Sequence, residues 1–192
     1  MKLLDEPIPG LKVFEAVRKG DQRGFFVELF KASLFKNLGI PHNFVQLNES
    51  QSIGSVRRGM HFQWDPPMAK VARISRGSAR LVAIDLRMDS PFYGTSHFID
   101  LTEDDSIWYY GEYGFARGFE TSSGINHLQY LVTGEYNALG EGGVSTFDTS
   151  LEDCWKSVSP IISQRDLNLP SIQQWATMSQ SKHLKMEVKP SK

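Results

Sequence analysis

From about residue 42 onward, short apolar or alternating runs follow one another, separated by glycine, proline, serine and aspartate. These runs predict nine strands: Asn43–Leu47, Val56–Phe62, Ala69–Ser75, Ala79–Leu86, Ser96–Leu101, Ile107–Tyr110, Ala116–Thr121, Asn126–Val132 and Gly143–Phe147. No helix-length periodic segment lies between them, so an alternating βαβ fold is excluded. Their number and spacing favour an antiparallel sandwich, jelly roll or barrel.

Helical spacing is confined to the two ends of the chain. Lys31–Gly39 carries apolar residues at helical spacing and ends in a glycine stop. Short helices are predicted after Ser163 and over Ser171–Ala176. Residues 1–178 are therefore expected to form a single all-β domain with short terminal helices. Residues 179–192 are polar and are expected to form a loosely ordered tail.

The composition excludes several classes of protein. The chain has 192 residues, enough for one core, and a formal net charge of −1, which gives no general attraction to nucleic acid or anionic membranes. No apolar run approaches the roughly 18 residues of a membrane span. The first residues include acids and a proline, unlike a signal peptide, and a single cysteine excludes an internal disulfide framework. We therefore expect a cytoplasmic protein.

The densest polar cluster lies within strand-like sequence, over Arg57–Gln63, with Lys70 close behind. Period-two alternation places Lys70 on the face of Ala72 and opposite Val71. A cation that points into a barrel is costly unless an anion meets it, whereas an exposed edge lysine is the ordinary alternative. Several cations around one histidine favour an anionic ligand, such as a diphosphate or an enolate.

Taken singly, the polar residues leave several interpretations open. His61 could be structural, catalytic or a metal ligand, but the other histidines show no ligand spacing to it, so a metal site is not favoured. Tyr130 and Tyr136 are compatible with amphipathic packing. Asp166 is compatible with a first-turn acid or a helix cap.

Seven motifs in order carry a resemblance to a known family: Asp21–Glu28, Val45–Ser50, Arg57–Gln63, Ala69–Val71, Asp85–Arg87, Gly114–Phe119, and Tyr136 with Glu141. From about Pro7 to Ser171 the sequence resembles the nucleotide-sugar 3,5-epimerases of the cupin superfamily. The resemblance implies a jelly-roll homodimer that binds a nucleotide-diphosphate 4-keto sugar, of the dTDP-4-dehydro-6-deoxyglucose type, without metal or cofactor.

The resemblance also implies roles for individual residues. His61 corresponds to the catalytic base, Asp166 to the aspartate that orients it and Tyr130 to the proton donor. Lys70 and Arg58 correspond to the cations near the C4 oxygen. The implied nucleotide and phosphate contacts are Arg23, Glu28, Gln46, Asn48, Tyr136, Glu141 and Arg165. Phe26 and Glu28 resemble a segment that reaches the neighbouring subunit, so exchanged N-terminal strands are expected.

One departure from the family pattern lies within the Gly114–Phe119 motif. The family usually has histidine where this chain has Arg117, a permanent cation with five donors. Arg117 is therefore expected to bind an additional substrate group or to bias which enolate forms. An epimerase that inverts only C3 or only C5, on a GDP- or CDP-linked sugar, remains the closest alternative. A non-catalytic cupin that binds a sugar nucleotide is a further one, and a metal-dependent oxygenase is disfavoured by the lack of a His-x-His motif.

Overall fold

A computed structural model describes residues 1–41 and 43–186 of the chain. It contains strands β1 to β13, in chain order Lys2–Ile8, Leu11–Glu15, Arg18–Asp21, Gly24–Val27, Gln46–Ile53, Arg57–Gln63, Lys70–Arg76, Ser78–Asp85, Ser96–Thr102, Ile107–Gly111, Phe115–Thr121, Ile125–Val132 and Glu141–Gly143. Helices α1 to α3 span Ala32–Asn37, Gln164–Leu167 and Ile172–Thr177, and two 3₁₀ helices span Thr149–Cys154 and Ser179–His183.

The strands form two main sheets and a separate hairpin. One sheet has the order β1-β2-β10-β7-β12-β5, and the other has the order β13-β6-β11-β8-β9. All pairs within these sheets are antiparallel. The remaining pair, β3 with β4, stands apart as a two-stranded hairpin.

Side-chain alternation along the strands produces three apolar layers. On β7 and β10, Ala72 and Tyr109 contribute to the layer between the sheets, whereas Val71 and Trp108 contribute to a layer with α1. On β8, Leu81 points to the inner layer and Val82 belongs to a third layer under the C-terminal helices. Successive residues of a strand point to opposite faces, so each sheet contributes apolar side chains to two of these layers.

The short C-terminal helices begin at side-chain caps. Ser163 accepts a hydrogen bond from the backbone N–H of Asp166 at the start of α2. Ser171 and Gln174 form a reciprocal capping box at the start of α3. Such caps satisfy backbone donors that a helix start leaves unpaired, which is why helices of four and six residues can form here.

The structure differs from the sequence predictions at the chain ends. The strands β1 to β4 were not among the nine predicted strands, and β1 and β2 pair within this chain, with β2 also pairing to β10. The first predicted strand, Asn43–Leu47, is shifted to Gln46–Ile53. The last, predicted at Gly143–Phe147, is shorter and lies earlier in the chain, at Glu141–Gly143. In the predicted loose tail, Ser179–His183 forms a 3₁₀ helix and Leu184 is buried, so residues 179–186 extend the domain; residues 187–192 lie outside the described part.

None of the helices in the described residues is long and apolar enough to cross a membrane.

Candidate active site

A cavity of about 710 Å³ opens between the two sheets. Its lining includes seven residues that the sequence singled out: Arg58, His61, Lys70, Arg117, Tyr130, Arg165 and Asp166. The apolar part of the wall comes from the layer between the sheets, including Ala72, Leu81 and Leu128. The cavity therefore combines an apolar wall with a convergent set of cations and one histidine–carboxylate pair, as in binding sites for small ligands.

The histidine–carboxylate pair joins β6 to α2. His61 Nε2 lies 2.8 Å from Asp166 Oδ1, and the other carboxylate oxygen accepts the backbone N–H of Gly59 at 3.1 Å. The Asp166 side chain is 4% exposed, whereas that of His61 is 25% exposed. Burial raises the pKa of Asp166, but the hydrogen bonds from His61 and Gly59 outweigh it and hold that pKa below its usual value. The pair thus presents an imidazole to the cavity with an ionised carboxylate behind it.

Gly59 has to be glycine for this arrangement. Its φ is +107°, and a Cβ at this position would lie 2.8 Å from the carbonyl oxygen of Arg117 and from the Cα of Gly118. A side chain would therefore separate β6 from β11 at the point where the backbone donates to Asp166.

The segment that brings Asp166 to His61 is anchored to the sheet by a buried ion pair. Arg57 donates to Glu120 Oε2 at 2.9 and 2.7 Å, and both side chains are 4% exposed. Glu120 Oε1 also accepts the backbone N–H groups of Lys156 and Ser157, at 3.0 and 2.8 Å. The backbone N–H of Arg57 donates to the carbonyl oxygen of Ile161 at 2.9 Å. Residues 156–161 are thereby fixed along the start of β6. The last of them precedes Asp166 by only five residues.

Lys70 projects from β7 into the cavity, on the face that period-two alternation predicted. Burial lowers the pKa of its ammonium group to about 8, and the nearby charge of Arg117 acts in the same direction. Its Nζ lies 5.9 Å from the ring centroid of Tyr130. Lys70 is therefore a partly desolvated cation, and an anionic ligand in the cavity would relieve that cost.

Replacing Lys70 with methionine is expected to stabilise the fold by up to about 3 kcal/mol at pH 7, because a desolvated charge is removed. The pKa of Lys70 is lower in the folded state, about 8, than the roughly 10.4 of an unfolded lysine. The gain should therefore be complete below pH 8 and disappear as the pH rises to about 10.4. Urea unfolding at pH 7 and pH 10 measures this.

The exposed Lys36 on α1 supplies the control, and Lys36→Met should change the free energy of unfolding by less than about 0.5 kcal/mol. Equal stability of Lys70→Met and the wild type at pH 7 would contradict the assignment of a desolvation cost to Lys70.

Tyr130 and Arg58 complete the polar lining. Burial raises the pKa of the Tyr130 phenol, so the group remains protonated at neutral pH. Arg58 donates to Ser52 Oγ at 3.2 Å and to the carbonyl oxygen of Gln51 at 3.0 Å, which fixes its guanidinium beside the end of β5. The site thus has a protonated phenol and an oriented guanidinium in addition to the histidine.

The other seven predicted residues do not line the cavity. Gln46 and Asn48 lie on β5 and are hydrogen-bonded to each other at 2.7 Å, and Glu141 on β13 accepts from Arg165 at 2.5 Å. Tyr136 is 61% exposed in the loop after β12. The remaining three lie on or just after the exposed hairpin: Arg23, Phe26 and Glu28. These seven residues are referred to below as the outer residues.

Sequence reasoning missed two contributors to the site. Tyr109 lines the cavity from β10 and bonds His97, with 3.0 Å between its Oη and His97 Nδ1. The alternation within Ile107–Tyr110 could have placed Tyr109 inward, since Trp108 and Tyr110 face the other layer. The second contributor is the backbone N–H of Gly59, which no pattern of side chains in the sequence could have indicated. Of the other histidines, His127 lies 3.4 Å from Glu49, and His42 lies outside the described residues.

Comparison with known proteins identifies the family. The family model for dTDP-4-dehydrorhamnose 3,5-epimerase matches residues 5–174. A dTDP-4-dehydrorhamnose 3,5-epimerase of Shigella flexneri is 32% identical over 170 residues, 88% of this chain and 94% of the relative. A dTDP-4-dehydrorhamnose 3-epimerase of Streptomyces niveus is 33% identical over 168 residues, 86% of this chain and 81% of the relative.

A solved structure supports the same assignment. The dTDP-6-deoxy-D-glucose-3,5-epimerase of Legionella pneumophila, crystallised with dTDP-4-keto-L-rhamnose, superposes with a TM-score of 0.89 at 28% identity, covering 98% of this chain and 99% of that one. The predicted all-β cupin jelly roll is confirmed, and so is the resemblance found in the sequence. The chain belongs to the dTDP-4-dehydrorhamnose 3,5-epimerase family of isomerases.

Proposed function

We propose that this protein inverts C3, C5 or both in a nucleotide-linked 4-keto-6-deoxy sugar of the dTDP-4-dehydro-6-deoxyglucose type, without a cofactor. The observation that carries the proposal is the pairing of His61 with Asp166 in the same cavity as Lys70. A binding protein would need the cations for the diphosphate but not a histidine held by a buried carboxylate. The names of the relatives support the same substrate class.

The first step is removal of a proton next to the ketone. C3 and C5 both lie α to the C4 carbonyl, so their C–H bonds are acidified. The imidazole of His61 accepts the proton, and the ionised carboxylate of Asp166 stabilises the imidazolium that forms. The electron pair of the broken C–H bond enters the carbon–carbon bond as the carbonyl becomes an enolate.

The negative charge on the enolate oxygen is met by the cations of the cavity. Lys70 and Arg58 supply positive charge from β7 and β6, in a space whose walls are partly apolar. Electrostatic interactions are stronger there than in bulk water, and preorganised charges need little rearrangement as the enolate forms. This stabilisation makes carbon deprotonation possible at neutral pH.

Inversion requires that the proton return from the opposite face of the sugar. We assign this role to Tyr130 on β12, which is in the six-stranded sheet, whereas His61 is in the five-stranded sheet. The burial that raises the pKa of Tyr130 keeps its proton available. A base and an acid on opposite walls of one cavity suit a planar intermediate that is deprotonated on one face and reprotonated on the other.

Nucleotide binding is assigned to Arg165 of the cavity and to the four outer residues that lie outside the hairpin: Gln46, Asn48, Tyr136 and Glu141. Arg165 pairs with Glu141 at the cavity edge, and Gln46 with Asn48 presents amide groups along β5. Tyr136 offers an exposed ring for stacking on the base.

The hairpin is proposed to complete the site of a second subunit in a homodimer. Phe25 and Phe26 are 60% and 68% exposed, and Arg23 and Glu28 flank them. An exposed aromatic pair is costly unless another surface covers it. Since β1 and β2 pair within this chain, the hairpin is the N-terminal part that we assign to the subunit contact.

The direct test is proton NMR of the protein with dTDP-4-keto-6-deoxyglucose in deuterated water, following C3–H and C5–H separately. Loss of both signals, faster than in the enzyme-free control, is expected of a 3,5-epimerase. Loss of one signal would establish the single-centre alternative, which the 3-epimerase relative and Arg117 favour. Loss of neither would contradict the proposed substrate and direct the same measurement to GDP- and CDP-linked 4-keto sugars.

A further inference from the structure

Arg117 reaches across the cavity from one sheet to the backbone of the other. It lies on β11, and its Nη1 donates to the carbonyl oxygen of Gly111 at the end of β10. Its Nη2 donates to the carbonyl oxygen of Met68 at 3.1 Å. Gly111 is the register partner of Lys70 in the β10–β7 ladder, and Met68 precedes Lys70 by two residues. The guanidinium therefore holds the backbone on two sides of Lys70.

The neighbouring strand leaves room for this contact. A Cβ at Gly111 would lie 3.1 Å from Arg117 Nη1 and 3.2 Å from its Cδ, so a larger residue would crowd the guanidinium. In the described part of the chain, Arg117 Nε is buried and has no hydrogen-bond partner. Both terminal nitrogens are engaged with backbone carbonyls. Arg117 is thus held in the cavity wall through its two terminal nitrogens, and its charge is fixed in place there.

Three charged side chains and one aromatic ring, each on a different element, lie near Lys70. Arg117 on β11 and Arg165 on α2 disfavour the protonated amine, Glu141 on β13 favours it, and the ring of Tyr130 on β12 lies beside it. Burial is the largest influence and Arg117 is the next, and the balance of all four influences brings the pKa of Lys70 to about 8. Burial also lowers the pKa of Arg117, to about 10, which leaves that group charged at neutral pH. Of the two cations, Lys70 is the one that can lose its proton.

We infer that Arg117 is a positioning residue that acts through Lys70, so that Lys70 serves as a proton donor to the C4 oxygen and not only as a fixed cation. The inference rests on the proposed function. When His61 takes the carbon proton, the C–H electron pair forms the carbon–carbon double bond and the carbonyl π pair moves to oxygen. The Lys70 ammonium transfers a proton to that oxygen, which gives a neutral enol and a neutral amine. The amine takes the proton back when the carbon is reprotonated.

The test is an NMR titration of the Lys70 amine in protein labelled with ¹³C at the lysine Cε, with the Lys70 signal assigned by its loss in Lys70→Met. The wild-type midpoint is expected near pH 8. Arg117→Met removes the neighbouring charge and should raise the midpoint by roughly half a pH unit or more. Arg117→Lys keeps a positive charge beside Lys70, so its midpoint should stay closer to that of the wild type.

Arg73→Met is the matched control, because Arg73 is a buried arginine on the same strand as Lys70 but does not line the cavity. It should leave the Lys70 midpoint unchanged. The rate of deuterium exchange into substrate should fall above the Lys70 midpoint, and in Arg117→Met this fall should move to higher pH with the midpoint.

Two results would overturn the inference: a wild-type midpoint at or above about 10, the ordinary range of lysine, or the same midpoint in wild type and Arg117→Met. The first result does not depend on Arg117→Met, so it applies even if that variant does not fold. Failure of the proposed function would give a different result. The wild-type protein would then catalyse no deuterium exchange into substrate at any pH, regardless of the midpoint measured for Lys70.

Discussion

Replacing His61 with alanine is expected to lower the rate of deuterium exchange at C3 and C5 by about 10²–10⁴-fold, the usual contribution of a positioned general base. The substitution removes the imidazole but leaves the cations of the cavity in place. Binding of dTDP, measured by calorimetry, should therefore change by less than about threefold, which corresponds to about 0.65 kcal/mol. Such a separation of exchange from binding would assign His61 to the chemical step.

His127→Ala provides the comparison for a histidine outside the cavity. His127 lies on β12 beside Glu49 and does not line the site. Its loss should leave exchange within about twofold of the wild-type rate. If His61→Ala retained the wild-type exchange rate, His61 would not be the base.

Replacing Tyr130 with phenylalanine is expected to separate exchange from inversion. The ring and its packing beside Lys70 are kept, and only the phenolic proton donor is lost. Exchange by His61 on its own face should continue, whereas formation of the inverted product should fall by about 10²-fold or more. Proton NMR in deuterated water reports both quantities in one sample, as deuterium in recovered substrate and as product signals.

Tyr93→Phe supplies the matched control for this second prediction. Tyr93 packs against the layer under the C-terminal helices, and in the described residues its buried hydroxyl has no hydrogen-bond partner. Removing that hydroxyl should alter neither exchange nor inversion. Product formation at the wild-type rate in Tyr130→Phe would exclude Tyr130 as the proton donor.

Local sequence patterns predicted most of the barrel but not its N-terminal strands. From β6 to β12 the runs alternate or are continuously apolar, so the strands carry their own signal. In β1 and β3 nearly all side chains are exposed, and what defines these strands is backbone pairing with neighbouring strands. Pairing of this kind depends on distant parts of the chain or on turn geometry, which hydrophobic periodicity does not report.

The candidate site was predictable to different degrees. Alternation placed Lys70 on the face of Ala72 from local sequence alone, but it did not decide whether that face was interior or exposed. His61 and Asp166 are 105 residues apart, so their association was available only through the family resemblance. The bonds from Arg117 to Gly111 and Met68 were not predictable, because backbone carbonyls leave no trace in side-chain patterns and the residue's charge favoured a substrate contact instead.

The two hydrogen bonds of the Asp166 carboxylate bear on how quickly the enzyme can begin each turnover. One oxygen is held by the Gly59 backbone and the other by His61, so rotating the carboxylate would break both bonds. The rotational freedom of the imidazole is thereby restricted before substrate arrives. The entropy of orienting the proposed base is lost once, during folding, and does not add to the activation barrier of every catalytic cycle.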